Sequence, residues 1–195
     1  WSRLPLENAE TRFLVEDDVP SMHAKVHLND QLAIRMHFLH PAPPSPTEND
    51  ESTERDVELL VVAESVRDDL EDIPVIVTGD LNDVAWSPNT RLFRKISGLL
   101  DPRVGRGMVN SFHAQHWFLR WPLDHLFHSH HFQLVRIQRL PAFGSDHFPV
   151  LVELQYDPAP DQQSLQGDED DELEAEDKIR EEGVSVTDVP EPEKR

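Results

Sequence analysis

A run of six uncharged residues at positions 73–78, IPVIVT, ends directly in the polar sequence GDLND at 79–83. Short uncharged runs that are rich in β-branched residues are typical of buried strands. Asp80, Asn82 and Asp83 therefore follow a strand of the core with no intervening loop. A sheet holds the backbone at its strand ends in a fixed position, so side chains placed there are well suited to form a functional site. A simple turn cap is the alternative, because Asp and Asn both favour turns.

The rest of the chain alternates between strand and helix patterns. Strand patterns occur at residues 24–28, 32–39, 123–128, 132–140 and 149–154. One helix is predicted at about 53–70, and a second is bounded by Ser87, an N-cap that precedes proline, and by Gly98. The four prolines of HPAPPSPTEND at 40–50 predict a loop. This order of elements predicts a layered α/β or α+β domain.

The acidic and basic residues are distributed unevenly. Residues 157–195 contain 15 acidic and 4 basic side chains, and their few apolar residues cannot offset the entropy of ordering them. We therefore predict one domain at residues 1–156 and a disordered acidic tail at residues 157–195. The whole chain has a net charge of −20, but residues 86–140 carry eight Arg or Lys and only two Asp. An anion could be bound locally, although a fully basic nucleic-acid footprint is absent.

Some classes of site are excluded by composition. The chain has no cysteine, which excludes disulfides and thiolate metal sites. No stretch approaches the roughly 20 apolar residues that a membrane-spanning helix needs. A Ser-His-Asp hydrolase is also disfavoured, because Ser145, Asp146 and His147 are adjacent in sequence and no G-x-S-x-G sequence occurs.

Three short stretches place acid, amide or imidazole groups beside an apolar strand: GDLND (79–83), WPLDHLFHS (121–129) and GSDHFPV (144–150). A fourth, HFLHPAPP (37–44), ends a strand with His40. Carboxylates are hard oxygen ligands that suit Mg²⁺ or Mn²⁺, and an imidazole held by a carboxylate exchanges a proton near neutral pH. Hydrolysis of a phosphate ester needs both groups, since its negative charge must be stabilised and its water deprotonated.

GDLN, PLDHLFHS and GSDHFPV, in this order, resemble the last three signature blocks of the endonuclease/exonuclease/phosphatase superfamily, and HPAPPSP with GDLNDVAWSP resembles its bacterial YafD-like branch. The resemblance implies a DNase-like fold, a four-layer β-sandwich flanked by helices. It also implies a divalent-metal-dependent phosphoesterase that uses Mg²⁺ or Mn²⁺. The substrate would be a phosphodiester, with nucleic acid, lipid and small molecules all open. The branch implies a bacterial protein that is cytoplasmic or membrane-associated.

The family's roles transfer to the matching positions of this sequence. By this resemblance, Asp80 orients or activates the attacking water and Asn82 binds the scissile phosphate. His147 is the imidazole beside that phosphate, oriented by Asp124, and Asp146 contributes to the metal site. His40 stands where some relatives carry a second histidine that contacts phosphate.

One departure from the family pattern changes the expectation for this chain. Family members begin with a strand that carries Asn and a strand that carries the Glu that is their main metal ligand. Neither has a counterpart before WSRLPL at residues 1–6. We therefore predict a domain that is incomplete at its N-terminus and lacks this Glu. The alternative hypothesis is a catalytically incompetent fragment or degenerate member that acts as a His-rich metal- or partner-binding module.

Three further groups of residues have two interpretations each. In HLFHSHHF (125–132), His128 and His130 would share one face of a strand as two zinc ligands, but no third ligand is evident, which favours a strand-end loop. The loop DPRVGRG (101–107) is either a basic loop near phosphate or an ordinary surface turn. Four aromatic residues could stack on a base or a lipid headgroup, or pack in the core or at its rim: Phe112, Trp117, Phe118 and Trp121.

Overall fold

The computed structural model describes residues 1–43, 53–67, 70, 73–158 and 162–190. A five-stranded sheet has the order β1 (Leu6–Arg12), β2 (Ser21–Asn29), β3 (Leu32–Leu39), β4 (Val75–Asp80) and β5 (Asp124–His128). Its strands are antiparallel except for β3 and β4, which are parallel. A second, two-stranded antiparallel sheet consists of β6 (Phe132–Arg139) and β7 (Val150–Tyr156).

The helices α1 (Thr53–Arg67), α2 (Pro88–Ser97) and α3 (Glu169–Glu182) are followed by a 3-10 turn at Val186–Asp188. The main core joins α1 and α2 to the five-stranded sheet, and the rings of Phe93 and Phe127 lie 4.9 Å apart within it. A second cluster, centred on Ile34, Ile76 and Phe132, joins the two sheets. Strand β4 is therefore covered on both faces, which explains why its sequence is an uncharged run.

This mixed α/β architecture with two sheets confirms the predicted fold class. Each predicted strand and helix is present, with boundaries that differ by a few residues. Helix α2 also ends as predicted: the Ser87 hydroxyl accepts a hydrogen bond from the Thr90 amide, and Gly98 closes the helix with a φ of 67°. Most of the predicted loop at 40–50 lies outside the described residues. No helix of the described part is both long and apolar enough to cross a bilayer.

Strand β1 is absent from the sequence prediction. Its sequence, LENAETR, has no alternation of apolar and polar residues, and its side chains are almost all exposed. It is an edge strand that pairs with β2 through its backbone and through a contact of 2.6 Å between the Glu7 and His27 side chains, with an irregular register between Glu7 and Glu10. Backbone pairing of this kind leaves no hydrophobic pattern that a sequence could reveal.

The predicted disorder of residues 157–195 is wrong over residues 169–182, which form α3. The side chains of Ala175 and Ile179, one helical turn apart, are buried against the main core, and Val189 is buried beyond the helix. Asp168 and Asp171 form a capping box, and Asp171 also pairs with Lys95 of α2 at 2.7 Å. The average composition of this segment predicted disorder, because an average does not show that the few apolar residues lie on one face of a helix.

Two buried histidines on β2 and β3 predict a loss of stability in acid. His23 and His37 are cross-strand partners, and their Nδ1 atoms lie 2.7 Å apart. Burial, with the charge of Arg35, lowers the pKa of His23 to about 4 and that of His37 well below 6.5. In the unfolded chain these two histidines bind protons at about pH 6.5. The free energy of unfolding therefore has its full value above that pH and decreases as the pH falls. We expect the lowered pKa of His23 alone to reduce the free energy of unfolding by about 3 kcal/mol at pH 4.

Urea unfolding at several pH values between 4.5 and 7.5 measures this effect. The variant His23→Gln should show a smaller loss of unfolding free energy between pH 6.5 and 4.5 than the unchanged protein. His116→Gln, which changes an exposed histidine, should leave the pH dependence as it was. An identical pH dependence in all three proteins would contradict the assignment.

Candidate active site

Three chain segments meet at one end of the five-stranded sheet. Asp80, the last residue of β4, pairs in register with Asp124, the first residue of β5. His147 lies in the loop before β7, and its Nδ1 is 2.7 Å from Oδ2 of Asp124. Its Nε2 lies 3.4 Å from Oδ2 of Asp80. The structure thus brings together a hydrogen-bonded Asp-His pair and a second carboxylate.

The charges of this group shift the pKa values of its members. Burial lowers the pKa of His147, but the hydrogen bond and the charge of Asp124 outweigh burial and raise the pKa above 6.5. Burial raises the pKa of Asp80, and the charge of Asp124 raises it further against a hydrogen bond from the Asn82 amide. Near neutral pH, His147 can therefore carry a proton, and Asp80 is a stronger base than a free aspartate.

Asn82 fixes the orientation of Asp80. Its backbone N–H donates to Oδ1 of Asp80 at 3.0 Å, which leaves Oδ2 facing His147. Its side-chain amide donates to the Pro41 carbonyl at 2.9 Å, and its own carbonyl accepts from Arg55 at 3.0 Å. An amide nitrogen carries two N–H donors, so one donor of Asn82 is still available for a ligand.

His40 and Asp146, the remaining predicted site residues, lie farther from the center. His40 is 69% exposed in its side chain, and its Nε2 lies 3.9 Å from Oδ2 of Asp80. Asp146 is exposed, and its carboxylate is not among the ligand atoms that converge with Asp80, Asp124 and His147. Its backbone carbonyl accepts a hydrogen bond from Ala114 at 2.6 Å. The metal role of Asp146 therefore remains a prediction.

Sequence reasoning did not find the residues that hold the GDLND loop. His125 of β5 is buried, and its Nε2 lies 2.9 Å from the backbone carbonyl of Asp83. Arg103 donates to its Nδ1 at 2.8 Å, and arginine cannot accept, so His125 must carry its proton on Nε2. Burial lowers the pKa of His125 to about 4, which agrees with this neutral tautomer. His125 is therefore a positioning residue for the loop.

Arg103 is not a mobile phosphate-binding cation. Its guanidinium is buried and paired with Asp101 at 2.8 Å, so the interpretation of residues 101–107 as a basic loop is wrong for this residue. The zinc interpretation of the histidine run also fails geometrically. Strand β5 ends at His128, and His130 lies in a turn, where it stacks on His131 at 4.1 Å. In the described part of the chain, the one convergent group of three metal-ligating side chains is Asp80, Asp124 and His147.

A cavity of about 550 Å³ lies beside this group, between the two sheets. Its polar lining contains Asp80, Asp124 and His147, together with Arg103 and His125. Its other walls are largely apolar, with Ile137 of β6, Phe143 of the following loop and several residues of β7. A concave site with a few convergent polar groups is typical of small-ligand and substrate sites.

Comparison with known families identifies the fold. The sequence model of the Endonuclease/Exonuclease/phosphatase family matches residues 1–147. The chain belongs to this family. No curated protein sequence matches it significantly.

Solved structures of this family share the fold at low sequence identity. A Bacteroides thetaiotaomicron endonuclease/exonuclease/phosphatase family protein is 22% identical over 79% of this chain and 66% of its own, with a TM-score of 0.58. TDP2 from D. rerio, solved with a single-strand DNA product, is 16% identical over 78% of this chain and 69% of its own, with a TM-score of 0.61. A mannosyl-6-phosphatase from Bacteroides thetaiotaomicron is 20% identical over 78% and 67%, with a TM-score of 0.55. The chain spans about two thirds of the length of these proteins.

Endonuclease/exonuclease/phosphatase proteins generally depend on divalent metal ions, and the site residues of this chain fit such an ion. One ligand atom each from Asp80, Asp124 and His147 lies within 4.8 Å of the others. The carboxylate oxygens of Asp80 and Asp124 suit Mg²⁺ or Mn²⁺. The raised pKa of Asp80 also fits, because a cation beside it would compensate the charge that burial disfavours.

Proposed function

We propose that the protein is a divalent-metal-dependent phosphoesterase that hydrolyses a phosphodiester. The observation that carries this proposal is the pair formed by Asp124 and His147, 2.7 Å apart, with its free imidazole nitrogen turned toward Asp80. A proton-carrying imidazole beside a carboxylate base supplies the two functions that attack on a phosphorus atom requires. The hydrolase activities of the family support the same reaction class.

In the proposed reaction, Asp80 accepts a proton from the attacking water as the new phosphorus–oxygen bond forms and the bond to the leaving oxygen breaks. His147, held by Asp124, donates a hydrogen bond to a phosphate oxygen on which negative charge develops. Asn82 contributes its free N–H donor to the same phosphate, and His40 contacts it from the mouth of the site. A bound divalent cation would supply further charge neutralisation, with Asp146 as an additional ligand.

Hydrolysis of bis-p-nitrophenyl phosphate tests this proposal. We expect turnover with Mg²⁺ or Mn²⁺, loss of turnover after chelation, and recovery when the metal is restored, because the site is built for a cation. Asp80→Ala should abolish turnover, whereas Asp30→Ala, which changes an exposed turn residue, should not. Equal rates of hydrolysis in these proteins, or rates that the chelator does not change, would refute the proposed reaction.

Titration with Mn²⁺ separates catalysis from metal binding. Mn²⁺ binding that is weakened by Asp80→Ala, in a chain that hydrolyses nothing, would favour the alternative of a metal- or partner-binding module. Titration with Zn²⁺ tests the His-rich part of this alternative, for which binding should depend on His128 and His130.

A further inference from the structure

A buried arginine of α1 contacts the loop that carries Asp80 and Asn82. The Arg55 residue is only 8% exposed, so its guanidinium is shielded from any substrate. Its Nη1 donates a hydrogen bond of 3.0 Å to the backbone carbonyl of Asn82, which lies 27 residues further along the chain. A buried cation needs partners of this kind, and the choice of a loop carbonyl beside the candidate site gives Arg55 a specific target.

The guanidinium of Arg55 binds two partners at once. Its Nε and Nη2 donate to Oδ1 of the buried Asp56 at 3.2 and 3.0 Å, while Nη1 donates to Asn82. Burial raises the pKa of Asp56, and the charge and hydrogen bond of Arg55 act against burial. The planar fork of an arginine can hold a carboxylate and a carbonyl in one fixed geometry, whereas a lysine has a single nitrogen for both.

The contact with Arg55 defines the backbone conformation of Asn82. The peptide group before Asn82 is held by the hydrogen bond from its N–H to Oδ1 of Asp80, and the peptide group after it is held by Arg55. Asn82 has a φ of 50°, in the left-handed region that residues other than glycine seldom adopt. Because both peptide groups are held, the Asn82 side chain and the Asp80 carboxylate each have a defined direction.

The next residue of the loop, Asp83, is anchored by other side chains. Its carboxylate accepts a hydrogen bond from the Thr90 hydroxyl at 3.2 Å, and its backbone carbonyl accepts one from His125 at 2.9 Å. Loss of the Arg55 contact would therefore release Asn82 while Asp83 stays in place. This difference allows a local effect on the site to be distinguished from a general loss of the fold.

We propose that Arg55 is a positioning residue for the candidate active site, which sets the orientation of Asn82 and, through the Asn82 amide, that of the Asp80 carboxylate. In the proposed reaction Asp80 must meet the attacking water and Asn82 must meet the phosphate, so a loosely held loop slows the chemical step. This consequence for catalysis rests on the proposed hydrolase function. The holding of the loop does not, so the two parts can fail separately.

Hydrogen exchange of the Asn82 amide, followed by NMR, tests whether Arg55 holds the loop. The variant Arg55→Lys keeps a positive charge beside Asp56, but its single nitrogen cannot serve both partners of the arginine fork. We expect the Asn82 amide to exchange about tenfold or more faster in this variant, because its hydrogen bond opens more often, while amides inside β4, such as that of Val77, keep their protection. The matched control, Arg67→Lys, makes the same change in the last turn of α1 and should leave both rates unchanged.

Hydrolysis of bis-p-nitrophenyl phosphate with Mn²⁺ measures the consequence for catalysis. We expect kcat to fall about tenfold or more in Arg55→Lys, with a smaller change in KM, because Asp80 acts on the attacking water only in the transition state. Arg67→Lys should keep the kcat of the unchanged protein. A general loss of structure would instead lower the amount of active protein and leave the KM of the remainder as it was.

Each remaining outcome contradicts one part of the proposal. Unchanged exchange of the Asn82 amide in Arg55→Lys would overturn the positioning role. Equal acceleration at Asn82 and Val77 would overturn it as well, because Arg55 would then support the fold as a whole. Faster exchange at Asn82 with an unchanged kcat would overturn the consequence for catalysis. A chain that hydrolyses nothing, but in which Asn82 responds as expected, would refute the proposed hydrolase function and leave the holding of the loop established.

Discussion

Replacing Gly79 with alanine is expected to destabilise the protein by more than about 4 kcal/mol, which is enough to unfold many domains. Gly79 of β4 pairs with Leu39 in the parallel ladder of the five-stranded sheet. A Cβ at this position would lie 1.8 Å from the Leu39 carbonyl oxygen and 2.8 Å from its carbonyl carbon. Both contacts are with backbone, so no side chain can rotate to relieve them. The two central strands would have to separate at the point where Asp80 is held.

Urea unfolding followed by circular dichroism measures this destabilisation. Gly167→Ala is the matched control, because a Cβ at Gly167 meets its nearest atoms at an ordinary 3.6 Å. We expect the control to stay within about 1 kcal/mol of the unchanged protein. A Gly79→Ala variant that unfolds at the same urea concentration as the control would show that β3 and β4 are not packed as described.

The elements that sequence predicted correctly are those with local signals. Helix α2 is bounded by a Ser-Pro start and a glycine stop, and both act through hydrogen bonds within one turn. Strand β4 is predictable because burial on both faces requires an uncharged run. Strand β1 and helix α3 depend instead on distant partners. The backbone of β2 holds β1, which has no local pattern of its own. Helix α3 has local caps at Asp168 and Gly183, but it is anchored to the core only through a few residues such as Ile179.

The same distinction applies to the candidate site. Asp80, Asp124 and His147 could be selected from sequence because they follow or begin apolar strands in motifs that resemble a family. The residues that hold them could not be selected in this way. His125 and Arg103 act through a buried chain of hydrogen bonds to the Asp83 carbonyl, and the two bonds of this chain join residues that lie 22 and 42 positions apart. A buried histidine of this kind resembles a metal ligand until its partners are known.

Replacing Asp124 with asparagine is expected to reduce the rate of phosphodiester hydrolysis by a factor of about 10² to 10⁴. The carboxylate of Asp124 accepts a hydrogen bond from Nδ1 of His147 at 2.7 Å and raises the pKa of His147. Asparagine has no charge, so the pKa of His147 should fall. In the proposed reaction His147 acts in its protonated form. The rate of hydrolysis therefore falls as the pH rises through the pKa of His147. The decline should therefore begin at a lower pH in the variant.

An NMR titration of the His147 ring gives the same information without turnover. Its midpoint should lie above 6.5 in the unchanged protein and move to lower pH in Asp124→Asn. The control Asp30→Asn, at an exposed turn, should change neither the titration nor the rate. If Asp124 were only a structural cap of β5, the variant would lose stability, but the titration midpoint of His147 would stay in place. A shifted midpoint together with a preserved fold would establish that the carboxylate acts on the imidazole electrostatically.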